Sequence, residues 1–236
     1  MNTSRRGTAD AAIKVLTASV ARRIDAVVEV LTDVAAGVPP AASDFDYFAA
    51  VTRELLMREA TRSSLAGAGY AVEYADPVRA PAMVWWVRRG GSIAERTHSV
   101  DPESESFYDY AALRWFTAAK DTGAPTLSGP FIDTWGADDY TVTVSLPVSN
   151  DSTLLGVIAV DVDVRRFIES LTAEMAEISA PLALVNESDR VVVSTEPSLS
   201  TGLPIRPRAA RDEPDLPSTR RYPVSGYGWS VVRFGR

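Results

Sequence analysis

Carboxylates set among aromatic rings are the residues of this chain with the clearest chemical potential, and they concentrate between Phe107 and Val164. Asp161 interrupts the apolar run from Leu154 to Val160, where an ionised side chain needs a partner. Asp163 follows two residues later, so on a strand both carboxylates point to one face, and that face attracts a cation. Asp163 also stands ahead of a helical pattern that begins near Arg165, a position suited to an N-cap. Asp133 is the second candidate carboxylate. It ends the segment Ser128-Gly129-Pro130-Phe131-Ile132, read as a loop because Gly-Pro marks a turn. Tyr108, Trp115 and Phe116 fall about two helical turns apart. Aromatic faces hold ammonium groups, and aromatic residues at that spacing also build cores.

Other chemistries find little support. The chain has one histidine, His98, and no cysteine, so thiolate metal sites, cysteine nucleophiles and disulfides are excluded. No nucleophile elbow, phosphate loop or zinc-binding helix motif occurs. Asp133 and Asp161 as a glycosidase pair have nothing else in the chain to support hydrolysis. Asp133 with Asp138 and Asp139 lacks the Gly-centred spacing of a calcium loop. The expectation is a non-enzymatic protein with no metal and no cofactor. The 31 acidic against 24 basic residues, net charge −7, argue against a nucleic-acid partner, whose footprint is basic and clustered.

The elements that must position these residues begin with a long helix. Ile13, Leu16, Val20, Ile24, Val27, Leu31 and Val34 recur every three or four residues, which predicts a helix from Thr8 to about Val38. Gly37 to Pro40 stops it, and a second helix follows from Phe45 to about Leu65. Met83 to Arg88 and Ser92 to His98 read as a hairpin. Adjacent Trp85 and Trp86 there face opposite sides. A short aromatic helix and two paired strands, Thr141 to Val148 and Leu155 to Val162, complete the central stretch. Beyond a helix from Arg165 to about Ile178, a hairpin (Leu182 to Asn186, Arg190 to Ser194) and two last strands (Tyr222 to Ser225, Trp229 to Phe234) form a smaller module.

Taken in order, Tyr108, Trp115-Phe116, Ser128 to Asp133, Thr141 to Val148 and Leu155 to Val162 resemble the Cache family of sensor domains, in particular the double-Cache type with PAS-like modules. The resemblance implies an α+β fold: a PAS-like antiparallel sheet with a long N-terminal helix, then a small second α+β module that looks like a reduced Cache unit. The implied division is 1–40 for the helix as spine or dimerisation element, 41–165 for the ligand-binding module and 166–236 for the reduced one. In amino-acid-binding members, an Arg two positions before the Trp holds the ligand carboxylate and two acids hold its ammonium. The acids match Asp133 and Asp161, Tyr108 and Trp115 match the family's Tyr and Trp, and Phe116 and Phe131 stand where Tyr is usual, with Trp86 as a pocket wall by the same likeness. The Arg position is occupied by Leu113, with Arg114 one residue late and turned by about 100° on a helix.

A site with two acids, several rings and no Arg clamp favours an amine without a carboxylate, because the Arg fork is the usual carboxylate holder. The expectation is therefore a sensor of a small cationic amine, whether polyamine, quaternary or aromatic amine. The alternatives are an amino-acid sensor using Arg114 and a ligand-free interaction module. With no output unit in the sequence, signalling is expected through a separate regulator or transporter protein, with a homodimer through the N-terminal helix. No apolar run long enough to export or anchor a chain occurs, so a soluble cytoplasmic protein without a direct membrane anchor is expected.

Overall fold

The N-terminal repeat continues as one helix, α1 (Asn2–Ala36), that buries Ile13, Leu16, Val20, Ile24, Leu31 and Val34 along one stripe. A computed structural model describes residues 2–37, 45–58, 64–73, 81–89, 91–99, 101–132, 140–150, 153–205 and 219–235. The chain divides into two units: one holds Met1–Asp25, Gly129–Ile132 and Val164–Arg236, the other Ala26–Ser128 and Asp133–Asp163. The architecture is α+β, with an antiparallel sheet in each unit.

In the unit that starts at Ala26, α2 (Phe45–Met57) is followed by β1 (Leu65–Val72), β2 (Ala82–Arg89) and β3 (Ser92–Glu95). A 3-10 turn, Tyr110–Ala112, leads into α3 (Arg114–Thr122), then β4 (Thr126–Ile132), β5 (Tyr140–Asn150) and β6 (Thr153–Val162). The strand order is β3-β2-β1-β6-β5-β4. Two elements depart from the sequence reading. The second helix ends at Met57 rather than near Leu65, and the Gly- and Ala-rich segment after it is a central strand, β1, paired to β2 and β6. Ser128 to Ile132 is strand rather than loop: β4 runs through a cis Gly129–Pro130 bond.

Opposed residues of an antiparallel sheet share a face. One face carries Ala68, Tyr70, Trp86, Val84, Val160 and Ile158 and receives α2: Phe48 stacks on Tyr70 at 4.1 Å, and Tyr70 donates its hydroxyl to the Leu155 carbonyl at 2.7 Å. Tyr70 can lie there because Gly156 has no side chain; a Cβ would sit 2.4 Å from its hydroxyl oxygen. The opposite face carries Gly67, Gly69, Trp85, Asp161, Ala159 and Thr143.

The other unit holds α1 as far as Asp25, α4 (Val164–Ala176) and the sheet β8-β7-β10-β9, made of β7 (Leu182–Val185), β8 (Val191–Ser194), β9 (Thr219–Pro223) and β10 (Ser230–Phe234). Its apolar centre includes fully buried Trp229 against Phe167 of α4. Polar contacts fix α1 to it. Asp10 accepts from Arg220 at 2.6 Å, Arg233 at 2.7 Å and Tyr222 at 2.5 Å. Arg23 bonds Ser170 and Glu174 on α4, and Tyr227 donates to Asp25 at 2.6 Å.

Candidate functional site

The site is built on the small-residue face of the six-stranded sheet. Asp161 sits one position before the end of β6, between Gly67 of β1 and Thr143 of β5. Thr143 is buried and donates its hydroxyl to Asp161 Oδ1 at 2.7 Å, which holds the carboxylate in one orientation. The other oxygen, Oδ2, lies over Gly67, 3.0 Å from where a Cβ would stand. Asp161 itself is only partly buried, whereas Ala159 and Val160 before it are fully enclosed.

Trp85 supplies the aromatic side. Its ring lies across β1: a Cβ on Gly69 would come 2.2 Å from Trp85 Cε3, and a Cβ on Gly67 would come 2.9 Å from its indole nitrogen. Two glycines, two residues apart on one face of a central strand, thus let the indole lie down on the sheet with its N–H edge beside Asp161. Glycine inside a strand often marks such a close approach. Trp115 of α3 covers Trp85 at 5.5 Å between ring centroids and meets Phe116 edge-on at 5.8 Å. Tyr110, in the 3-10 turn, packs on both of these rings and bonds the Val72 carbonyl at 2.6 Å.

Of the described residues named from the sequence, Asp161, Trp115 and Phe116 lie in this region and the others do not. Asp161 is on the face with Trp85, Trp115 is buried against that ring, and Phe116 is buried against Trp115. Trp86 is on the opposite face: its indole donates to the Ala49 carbonyl of α2 at 2.9 Å, and the Arg53 guanidinium lies 5.7 Å from its ring. Trp85, not Trp86, therefore lies on the face with Asp161. Tyr108 is not helical; its N–H bonds the Ser99 carbonyl, and Tyr110 takes the position beside Trp115. Arg114 is the exposed first residue of α3, and Leu113, its N-cap, is partly buried in an extended conformation. Phe131 lies on the part of β4 that belongs to the unit holding α4. Asp133 lies outside the described residues, as do Asp138 and Asp139. His98, half-buried, has its pKa lowered first by burial, opposed by a backbone bond at Arg96 and the charge of Glu95. Among the described residues no group of acids or histidines is arranged to hold a metal ion.

The segment carrying this face, residues 54–169, matches the model of the first PDC sensor domain of methyl-accepting chemotaxis protein-like proteins. This segment is a Cache-type PDC sensor domain. No curated protein matches the chain. Solved structures share the fold across almost the whole length. The ligand-binding domain of Pseudomonas fluorescens chemoreceptor CtaA, in complex with L-leucine, is 13% identical with a TM-score of 0.67, covering 100% of this chain and 96% of that one. The ligand-binding domain of the Pseudomonas aeruginosa PAO1 amino acid chemoreceptor PctC, in complex with GABA, is 18% identical with a TM-score of 0.60, covering 94% and 95%. The extracellular domain of a putative histidine kinase, soHK1S-Z6, is 13% identical with a TM-score of 0.58, covering 98% and 95%.

These matches correct the cytoplasmic placement expected from the sequence, because the PDC family and its structural likenesses are sensor domains of chemoreceptors and an extracellular kinase domain. The physical reason is simple. An apolar segment delivers or anchors a chain, but a PDC domain's own residues face water on either side of a membrane and carry no mark of which. Among the described residues no helix is long and apolar enough to cross a membrane.

Proposed function

We propose that this PDC domain senses a small ligand by its ammonium group, which binds the Asp161 carboxylate beside the Trp85 indole. The observation that carries the reading is Asp161 itself: a carboxylate oriented by Thr143 and directed over Gly67 on an otherwise apolar, small-residue face. A charged hydrogen bond in such surroundings is worth more than in water. Cationic amines and amino acids both supply the ammonium. Amines follow from the absence of an Arg at position 113. Amino acids are favoured by the ligands in the chemoreceptor structures of the same fold, GABA and L-leucine, each of which carries that group.

Titration calorimetry with putrescine, choline, phenethylamine, L-leucine, L-arginine and GABA tests it, on the wild-type chain and on Asp161→Asn. A hydrogen bond to a charged group contributes about 1.5–3 kcal/mol, so Asp161→Asn is expected to weaken a true ligand roughly 10- to 100-fold. Equal affinity of both proteins for every ligand that binds, or no binding by any of the six, would overturn the reading.

A further inference from the structure

We infer that Trp85 is the specificity-determining donor of the site. Its indole N–H takes a carboxylate oxygen of the same ligand whose ammonium binds Asp161, in place of the Arg that Leu113 displaces. The inference rests on the ammonium reading above and goes beyond it, because it assigns the ligand's second charged group and the residue that recognises it.

Three observations lead there. Trp85 Nε1 and Asp161 Oδ2 lie 2.9 and 3.0 Å from where a Gly67 Cβ would stand, so a donor from β2 and an acceptor from β6 come near each other above the bare backbone of Gly67. An indole N–H only donates and an ionised carboxylate only accepts, so the pair is complementary to a group that both accepts and donates. Such a group is a carboxylate and an ammonium on the same or neighbouring carbons. No described residue accepts a hydrogen bond from the Trp85 N–H, while the indole of Trp86, one residue along, is already satisfied by Ala49.

The glycine pair fixes this direction. With a side chain at position 69 the ring could not lie across β1, and with one at 67 the indole edge and the carboxylate could not both close over the strand. Glycine at both positions weakens a central strand, and what it permits here is the approach of Trp85 to Asp161. The Arg clamp is thereby replaced by a neutral donor, which holds a carboxylate in one orientation with a weaker bond than a bidentate guanidinium.

The test compares matched ligands that differ only by the carboxylate: L-leucine with 3-methylbutylamine, and L-arginine with agmatine. On the wild-type domain, whichever amino acid binds is expected to exceed its decarboxylated partner by about 10- to 100-fold, the range of one hydrogen bond to a charged group. In Trp85→Phe, which keeps a ring against Trp115 but lacks the N–H, that ratio is expected to fall toward one. Amines that bind the wild type as tightly as their amino acids would overturn the inference while leaving the ammonium reading in place. A ratio unchanged in Trp85→Phe would overturn it too. Should Trp85→Phe fail to fold, the wild-type ratio alone decides, and no binding by either class would remove both proposals together.

Discussion

Replacing Gly69 with alanine tests whether the Trp85 ring lies flat on β1. The new Cβ would stand 2.2 Å from Trp85 Cε3 and 2.4 Å from the Val84 carbonyl oxygen. The ring could rotate away, but the carbonyl belongs to the β2 backbone paired at that register and cannot. Forcing extra volume into a packed core costs about 1–3 kcal/mol, and removing a glycine from a strand returns about 0.5–1 kcal/mol. At the middle of the two ranges the net loss is about 1.25 kcal/mol, which for a chain of this size lowers the melting midpoint by roughly 3–5 °C. Circular dichroism melts read the midpoint, and tryptophan fluorescence reports the displaced indole. Gly67→Ala makes the comparison, since its Cβ meets the indole nitrogen at 2.9 Å and the Asp161 carboxylate at 3.0 Å. It is expected to cost less stability and more ligand affinity. A Gly69→Ala midpoint equal to or above the wild type would refute the placement of the ring and, with it, the reason for the glycine pair.

Asp10 predicts an acid limb of stability: its pKa lies below the ordinary 3.8, chiefly through the Tyr222 hydrogen bond and then the Arg220 and Arg233 charges, against burial. A carboxyl whose folded pKa is depressed stabilises the fold above its unfolded value and loses that contribution as pH falls through the folded one; Asp10→Asn should lower the urea midpoint at neutral pH and flatten its decline below about pH 4, and parallel curves would contradict this. Trp86→Phe removes the bond to the Ala49 carbonyl and should cost about 0.5–1.5 kcal/mol in urea unfolding with unaltered ligand affinity, whereas a loss of affinity would return Trp86 to the binding face.

Asp161 was legible because a carboxylate inside an apolar strand is expensive and so conspicuous, and the long helix because its stripe repeats over many turns. β1 was not. Leu65-Ala66-Gly67-Ala68-Gly69 lacks the β-branched residues that mark strands, since its neighbours Trp85 and Asp161 occupy the volume its own side chains would fill. The partner of Asp161 was hidden by a bulge. Counting back from the Asn150 and Thr153 pair sets Val142 opposite Asp161, and the register shift between Val148 and Ser149 brings Thr143 there instead. Trp85 and Trp86 alternate in any strand, so only the register to β1 and the docking of α2 tell which faces the carboxylate. Tyr108 lies ahead of the 3-10 turn and Tyr110 opens it, an arrangement that a 3.6-residue count does not foresee.

The strand order also sets a timetable for synthesis. β1 can form a hairpin with β2 as soon as both leave the ribosome, but its other edge is reserved for β6, which begins only at Thr153. At ordinary elongation rates of about 5–20 residues per second, that edge waits roughly 4–16 s for its partner. An unpaired edge is a template for wrong pairing. The bare glycines and alanines that make room for an indole in the finished domain also give the waiting edge little apolar surface with which to capture another chain.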